Sequence, residues 1–259
     1  MKQNRFKRVV DEGRIPVGHM IMEFGTRGMA MMLKSADVDF VFLDMEHTGF
    51  DTERIADLCA WLKATDVAPF VRVPQGLYHF LARTMDAGAL GVMVANVETA
   101  EQAKSIVNGV KYLPLGYRGL GLGTAHNDYV QPETVPYLKA ANENTTVICQ
   151  IESPVGLENC DAIAATAGVD VLWVGHFDLS NGMGIPADFQ NPRFLDALKK
   201  VVEVCAKHGK RAGIQPGNEA QADQWIGLGF NAISWGTDIS VYRRALGLEI
   251  AAVRSKLGQ

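Results

Sequence analysis

Short apolar runs recur along the chain at 17–22, 40–43, 69–73, 91–95, 146–151, 169–174, 211–214 and 231–235, each followed by a longer stretch with helical spacing. Runs of Val, Ile and Phe alternating with helical segments are the pattern of repeated βα units joined into a parallel sheet. Strict apolar/polar alternation is absent, and Phe40-Val41-Phe42-Leu43 is apolar throughout, as expected of strands covered on both faces. Eight strands are the number that closes a (β/α)8 TIM barrel, which is the predicted fold. An open doubly wound sheet is the runner-up.

Between the fourth and fifth runs the chain is longer than elsewhere and carries Gly116-Tyr117-Arg118-Gly119-Leu120-Gly121-Leu122-Gly123. Too large for a simple crossover, this segment reads as a lid or an interface loop. Its glycines do not match a dinucleotide fingerprint, because Gly123 comes too early and no strand leads directly into it. No linker, low-complexity tract or repeat other than the βα period interrupts the pattern, so residues 1–259 read as a single barrel domain. The last predicted helix, 240–256, sets Leu246, Ile250, Val253 and Leu257 in one stripe, which packs either on its own barrel or on a neighbouring subunit.

Composition narrows the function classes. The chain has 259 residues, 47% of them hydrophobic, and a net charge of −4, the proportions of an ordinary globular protein. An acidic balance with no basic stripe argues against nucleic-acid binding and for a small-molecule role. The charged opening segment 1–14 is neither a signal-peptide core nor a membrane span, so a cytoplasmic protein without membrane contact is expected. Cys59, Cys149, Cys160 and Cys205 show no C-x-x-C spacing and read as reduced, buried small hydrophobes.

In such a barrel the active site lies where the strands end. The polar residues found there are Asp44, Glu46 and His47, then Arg72, Gln150, Glu152, Gly175, His176, Asp178, Gln215 and Asp238. Glu152 and Asp178, from adjacent strands, suit a hard divalent cation such as Mg or Mn that keeps several waters. Equally, either carboxylate could cap a helix or pair with an arginine. Arg72 is placed either to steady an anionic oxygen or to form a structural salt bridge. His47, following two carboxylates, has the makings of a proton carrier, whereas His19, His79, His126 and His208 read as ordinary loop or core residues; His176 reads either so or, being close to the proposed mouth, as part of the site. No strand ends in Lys for a Schiff base, and there is no G-x-S-x-G elbow and no P-loop. Metal-assisted chemistry remains.

Several separated motifs, in order, resemble the HpcH/HpaI aldolases, a family of metal-dependent pyruvate aldolases. They are Phe42-Leu43-Asp44-Met45-Glu46-His47, Val71-Arg72-Val73-Pro74, Asp86-Ala87-Gly88-Ala89, Tyr117-Arg118-Gly119, Gln150-Ile151-Glu152-Ser153 and Val174-Gly175-His176-Phe177-Asp178-Leu179-Ser180. The resemblance spans about residues 18–238. It implies a divalent cation (Mg, Mn or Co) held by Glu152 and Asp178, on which a 2-oxo acid such as pyruvate chelates. It also implies that Arg72 stabilises the enolate oxygen, that His47 is the acid/base, and that Asp86 raises the basicity of His47. Gln150 and the backbone around Gly175, Phe177 and Asp178 would hold the substrate carboxylate, with Asp44 and Glu46 in support. The implied reaction is reversible cleavage of a 4-hydroxy-2-oxo acid into a 2-oxo acid and an aldehyde, in a trimer or hexamer with an exchanged C-terminal helix. A related acyl-CoA lyase and a non-catalytic oxo-acid-binding protein are the alternatives. The chain departs from the family where His176-Phe177 replaces Pro-Ala or Pro-Ser, and where Gln215 replaces a hydrophobic residue, both of which bear on the acceptor.

Overall fold

The computed structural model describes all 259 residues, Met1–Gln259. Its strands are β1 Val17–Ile21, β2 Phe40–Asp44, β3 Ala68–Val73, β4 Gly91–Val94, β5 Thr146–Ile151, β6 Val171–Val174, β7 Arg211–Ile214 and β8 Ala232–Thr237. Neighbours pair in parallel in chain order and β8 returns to β1, so the sheet closes into a (β/α)8 TIM barrel. The open-sheet alternative is excluded. Asp44 is the last residue of β2 rather than a loop residue, because its backbone stays in register with Arg72 of β3. β6 begins after its apolar run does, because Asp170 is used as a cross-link: its N–H donates to Val147 at 2.9 Å and its carboxylate accepts from the Val147 N–H at 2.8 Å.

Both strand faces are apolar because each meets a different layer. Phe40, Phe42, Phe70, Met93, Ile148 and Trp173 form one buried cluster inside the barrel, while Val41, Leu43, Val71, Val92, Cys149 and Leu172 belong to a larger cluster beneath the helices. Successive residues of a strand point to opposite faces, so the inward set recurs at every second position. The rings interlock, with Phe40 stacked on Phe70 at 5.5 Å and Trp173 edge-on to Phe42 at 4.9 Å. Gly213 pairs with Trp173 across the β6–β7 ladder, and a Cβ there would overlap the indole. The N-terminal helix Arg5–Asp11 closes the lower end, inserting Phe6 against Phe40 (5.2 Å) and Phe70 (5.4 Å).

The glycine-rich segment is tied to the body. Arg118 is buried over the Tyr112 ring at 4.8 Å, and His126 bridges the Tyr137 hydroxyl (2.6 Å) and the Gly121 carbonyl (3.0 Å). All four cysteines are free and buried. No helix is long and apolar enough to cross a membrane. The terminal helix begins at Asp238, two residues earlier than its spacing predicts, and runs to Lys256 with a Thr237–Ser240 capping box. Within one chain its stripe is not covered: Leu246, Ile250, Val253 and Leu257 are all exposed.

Trp173→Ala would empty the middle of the barrel, and a loss of about 3–5 kcal/mol is expected from urea denaturation. A loss below about 1 kcal/mol would show that the ring is not packed as described.

Candidate active site at the carboxyl ends of the strands

The alternation that turns Phe40, Phe70 and Ile148 inward turns Asp44, Arg72 and Gln150 inward nearer the carboxyl ends of the same strands, and Glu152 follows two residues beyond Gln150. Four polar side chains from three strands thus meet above an aromatic floor. Asp44 is fully buried and accepts from four donors. Arg72 supplies two of them, Nε at 2.7 Å and Nη2 at 2.9 Å, and the N–H groups of Glu46 and His47 supply the others at 3.0 and 3.2 Å. Both parts of the Arg72 fork are therefore fixed by Asp44, and its third nitrogen, Nη1, lies 3.2 Å from Glu46 Oε2. Burial raises the Glu46 carboxyl above its ordinary range, against the pull of Arg72.

His47 stands exposed at the rim, and Glu46, at 3.9 Å, is the only carboxylate within 4.0 Å of its ring nitrogens. Asp86 does not join it. The Asp86 carboxylate ends the helix Tyr78–Asp86, where Arg118 Nη2 holds it at 2.5 Å and His126 Nε2 lies 4.0 Å away. Within one chain no ion pair joins Asp86 to His47, the pairing implied by the family motifs; the Asp86 carboxylate is held by the buried Arg118 instead.

Glu152 is neither a helix cap nor an arginine partner. Ser153 caps the helix Pro154–Glu158 by accepting from the Gly156 N–H at 3.0 Å. Glu152 accepts instead from Gln150 Nε2 at Oε2 and from the Asn96 N–H at Oε1, the latter at 2.6 Å. Its carboxyl is raised to about 7 as the net of burial, which raises it most, the two donors, which lower it, and the charges of Glu46 and Asp178, which raise it. Asp178 sits in the first turn of the helix His176–Gly182, exposed, with no hydrogen bond or ion pair of its own. Between them Gly175 is required by close approach: a Cβ would collide with the Glu152 carboxylate and lie 2.8 Å from Gln150 Nε2. His176 is half-buried, its ring packed on Trp225 (5.3 Å) and Phe189 (5.2 Å), and burial of the imidazole pushes it down to about 4. Its neighbour Phe177 is exposed and leans edge-on against Phe189 at 5.1 Å. Gln215 reaches the Gly236 carbonyl at 3.4 Å, and buried Asp238 gathers the N–H groups of Met22, Glu23 and Phe24 at 2.7–3.0 Å.

The sequence model of the HpcH/HpaI aldolase/citrate lyase family matches residues 25–245. The chain belongs to this family. A 5-keto-4-deoxy-D-glucarate aldolase from Klebsiella pneumoniae subsp. pneumoniae is 35% identical over 215 residues, 83% of each chain. An HpcH/HpaI aldolase from Desulfitobacterium hafniense DCB-2 superposes with a TM-score of 0.91 at 26% identity, covering 96% of each chain. Citrate synthase SbnG follows at 0.87 and 26%, covering 98% of each. As a member of the HpcH/HpaI family, the protein is a carbon–carbon lyase of aldolase type.

No group of three or more His, Cys, Asp or Glu side chains is placed to hold a metal ion. The site of this HpcH/HpaI protein instead offers two carboxylates, Glu152 and Asp178, and two buried acceptors without a hydrogen bond: Gln150 Oε1, and Glu46 Oε2, which faces Arg72 Nη1 at 3.2 Å outside hydrogen-bond geometry. An all-oxygen set with few protein ligands fits a hard cation that retains water, such as Mg or Mn, and fits zinc poorly. Sequence reasoning missed Asn96. Its signal is an asparagine two residues past the end of β4, a residue type that tolerates a left-handed turn.

Glu152 titrates near 7 in the folded chain against 4.5 for an unperturbed glutamate. The folded state therefore binds the extra proton, and the stability this gives is full below about 4.5 and is lost as pH rises through 7. Urea denaturation of chelator-treated protein should show wild type losing on the order of 2–3 kcal/mol more than Glu152→Gln between pH 5 and pH 8. Parallel curves for the two proteins would contradict a raised Glu152.

Proposed function

We propose that the protein catalyses the reversible aldol cleavage of a 4-hydroxy-2-oxo acid into pyruvate, or a close 2-oxo acid, and an aldehyde, with the help of a divalent cation. The observation that carries this reading is the surplus of carboxylates (Glu46, Glu152, Asp178) beside one guanidinium, Arg72, which Asp44 already neutralises. Glu152 and Asp178 would hold the cation, which when bound supplies Lewis acidity at the keto oxygen.

The remaining work belongs to the chain's own residues. Cleavage beside a carbonyl leaves an enolate, and only interactions stronger with that charge than with the neutral ketone accelerate the step. Arg72 Nη1, the nitrogen not bound to Asp44, lies beside Glu46 at 3.2 Å and would meet the enolate oxygen there. His47, free at the rim, takes the proton of the 4-hydroxyl during cleavage and returns it in the reverse direction. Gln150 and the N–H groups of Phe177 and Asp178 hold the carboxylate of the 2-oxo acid, where the absent Cβ of Gly175 leaves room. The exposed ring of Phe177 and the amide of Gln215 face the part of the substrate that becomes the aldehyde. The likeness to 5-keto-4-deoxy-D-glucarate aldolase supports a hydroxylated sugar acid as substrate. A second reading, a related enolate-forming enzyme with another acceptor, is favoured by the likeness to citrate synthase SbnG.

We further propose a homo-oligomer, a trimer or hexamer, in which the terminal helix is exchanged between copies. Support comes from the uncovered stripe on that helix and from an apolar cavity of about 580 Å³ at its root, lined by Phe24, Met32, Leu33, Trp235 and Tyr242.

Pyruvate release from a panel of 4-hydroxy-2-oxo acids is expected with Mg or Mn and should stop on chelation, while His47→Ala should lower kcat by about 10²–10⁴-fold. Release that ignores the chelator would overturn the cation, and binding of pyruvate without any turnover would make the protein an oxo-acid binder. Ile250→Glu with Val253→Glu should lower the mass measured by light scattering; an unchanged mass would remove the helix from the interface.

A further inference from the structure

Two residues past the end of β4 the chain turns at Asn96 with φ +49°. This left-handed region is closed to most side chains by Cβ crowding, and asparagine enters it more readily than β-branched residues do. The turn aims two consecutive N–H groups at the end of β5. That of Asn96 donates to Glu152 Oε1 at 2.6 Å, and that of Val97 donates to the Gln150 carbonyl at 3.0 Å. Gln150 in turn donates its side-chain amide to the other oxygen of Glu152. The carboxylate is thus gripped from both sides, one donor to each oxygen, with no cationic side chain bonded to it. Removing the Asn96 N–H would leave Oε1 buried without a donor, and a buried acceptor without a partner reorients or moves.

The side chain of Asn96 takes no part in this. It makes no hydrogen bond and lies exposed beside Gln75, Gln102 and Ser105 at a cavity of about 390 Å³. What the position supplies is a backbone conformation, and unusual backbone conformations gather where a site over-determines its geometry.

We propose that Asn96 is a positioning residue whose left-handed turn orients the Glu152 carboxylate and thereby sets the affinity of the cation site. This rests on reading Glu152 as a cation ligand. The experiment is Mn(II) binding to the chelator-stripped full chain, followed by the spectroscopic signal of free Mn(II) and by titration calorimetry. Asn96→Gly adopts φ +49° freely and keeps the N–H, so its Kd should stay within about twofold of wild type. Asn96→Val resists that conformation and should weaken Mn(II) binding about tenfold, as loss of a group that orients a ligand does. Asn96→Ala, less crowded, should fall between them and serves if the valine variant does not fold. Equal Kd values for wild type, valine and alanine variants, even with lowered Tm, would overturn the proposal by leaving Asn96 a purely structural role. A glycine variant as weak as the valine variant would overturn it too, since the side chain would then matter. Wild-type affinity in Glu152→Ala would instead defeat the ligand assignment itself, and the inference with it.

Discussion

Four donors converge on one buried carboxylate, that of Asp44, and the upper half of the barrel is organised around meeting that demand. A carboxylate taken fully out of water is tolerated only when every oxygen is bonded. The β2–β3 register supplies the partner, setting Asp44 beside Arg72. The bidentate geometry then fixes the guanidinium plane, and the backbone after β2 bends so that Glu46 and His47 can each give an N–H to the same acceptor. The position of His47 at the rim is therefore a consequence of how Asp44 is satisfied. The same arrangement leaves one face of Arg72 toward Glu46 and the mouth.

The charge balance of the mouth follows. Arg72 and Asp44 cancel, and Glu46, Glu152 and Asp178 remain. Burial and mutual repulsion oppose their ionisation, which is why Glu46 and Glu152 both rise. A site in this condition is relieved by protons or by a cation. Two backbone and amide donors keep Glu152 oriented meanwhile, so that its geometry does not depend on a positive partner.

Much of this is legible in the amino-acid order. The apolar runs locate all eight strands because each strand is buried on both faces, and the polar residues that end them must lie at the open rim once the sheet closes. What the order does not reveal is which of two partners a polar group takes. Arg72 reads equally as oxyanion holder or salt-bridge former, and only the register with Asp44 shows that Nε and Nη2 do the second job while Nη1 faces Glu46. Asp86 lies in a family motif that ties it to His47, yet Arg118, 32 residues away, holds it in the single chain. Asn96 leaves no pattern at all, since its contribution is a dihedral angle and a bond to a residue 56 positions on. The stripe on the last helix is readable as a stripe, but whether its own barrel covers it depends on the direction in which the helix leaves Asp238.

Phe6, wedged under Phe40 and Phe70, acts as a stopper. With the rings of the interior stacked above it, the cylinder is blind at its base. Everything that reaches the carboxylates must arrive and depart through the same opening, so traffic of water, protons and products is one-ended. The loops around that doorway are therefore the part of the barrel that every incoming molecule meets first.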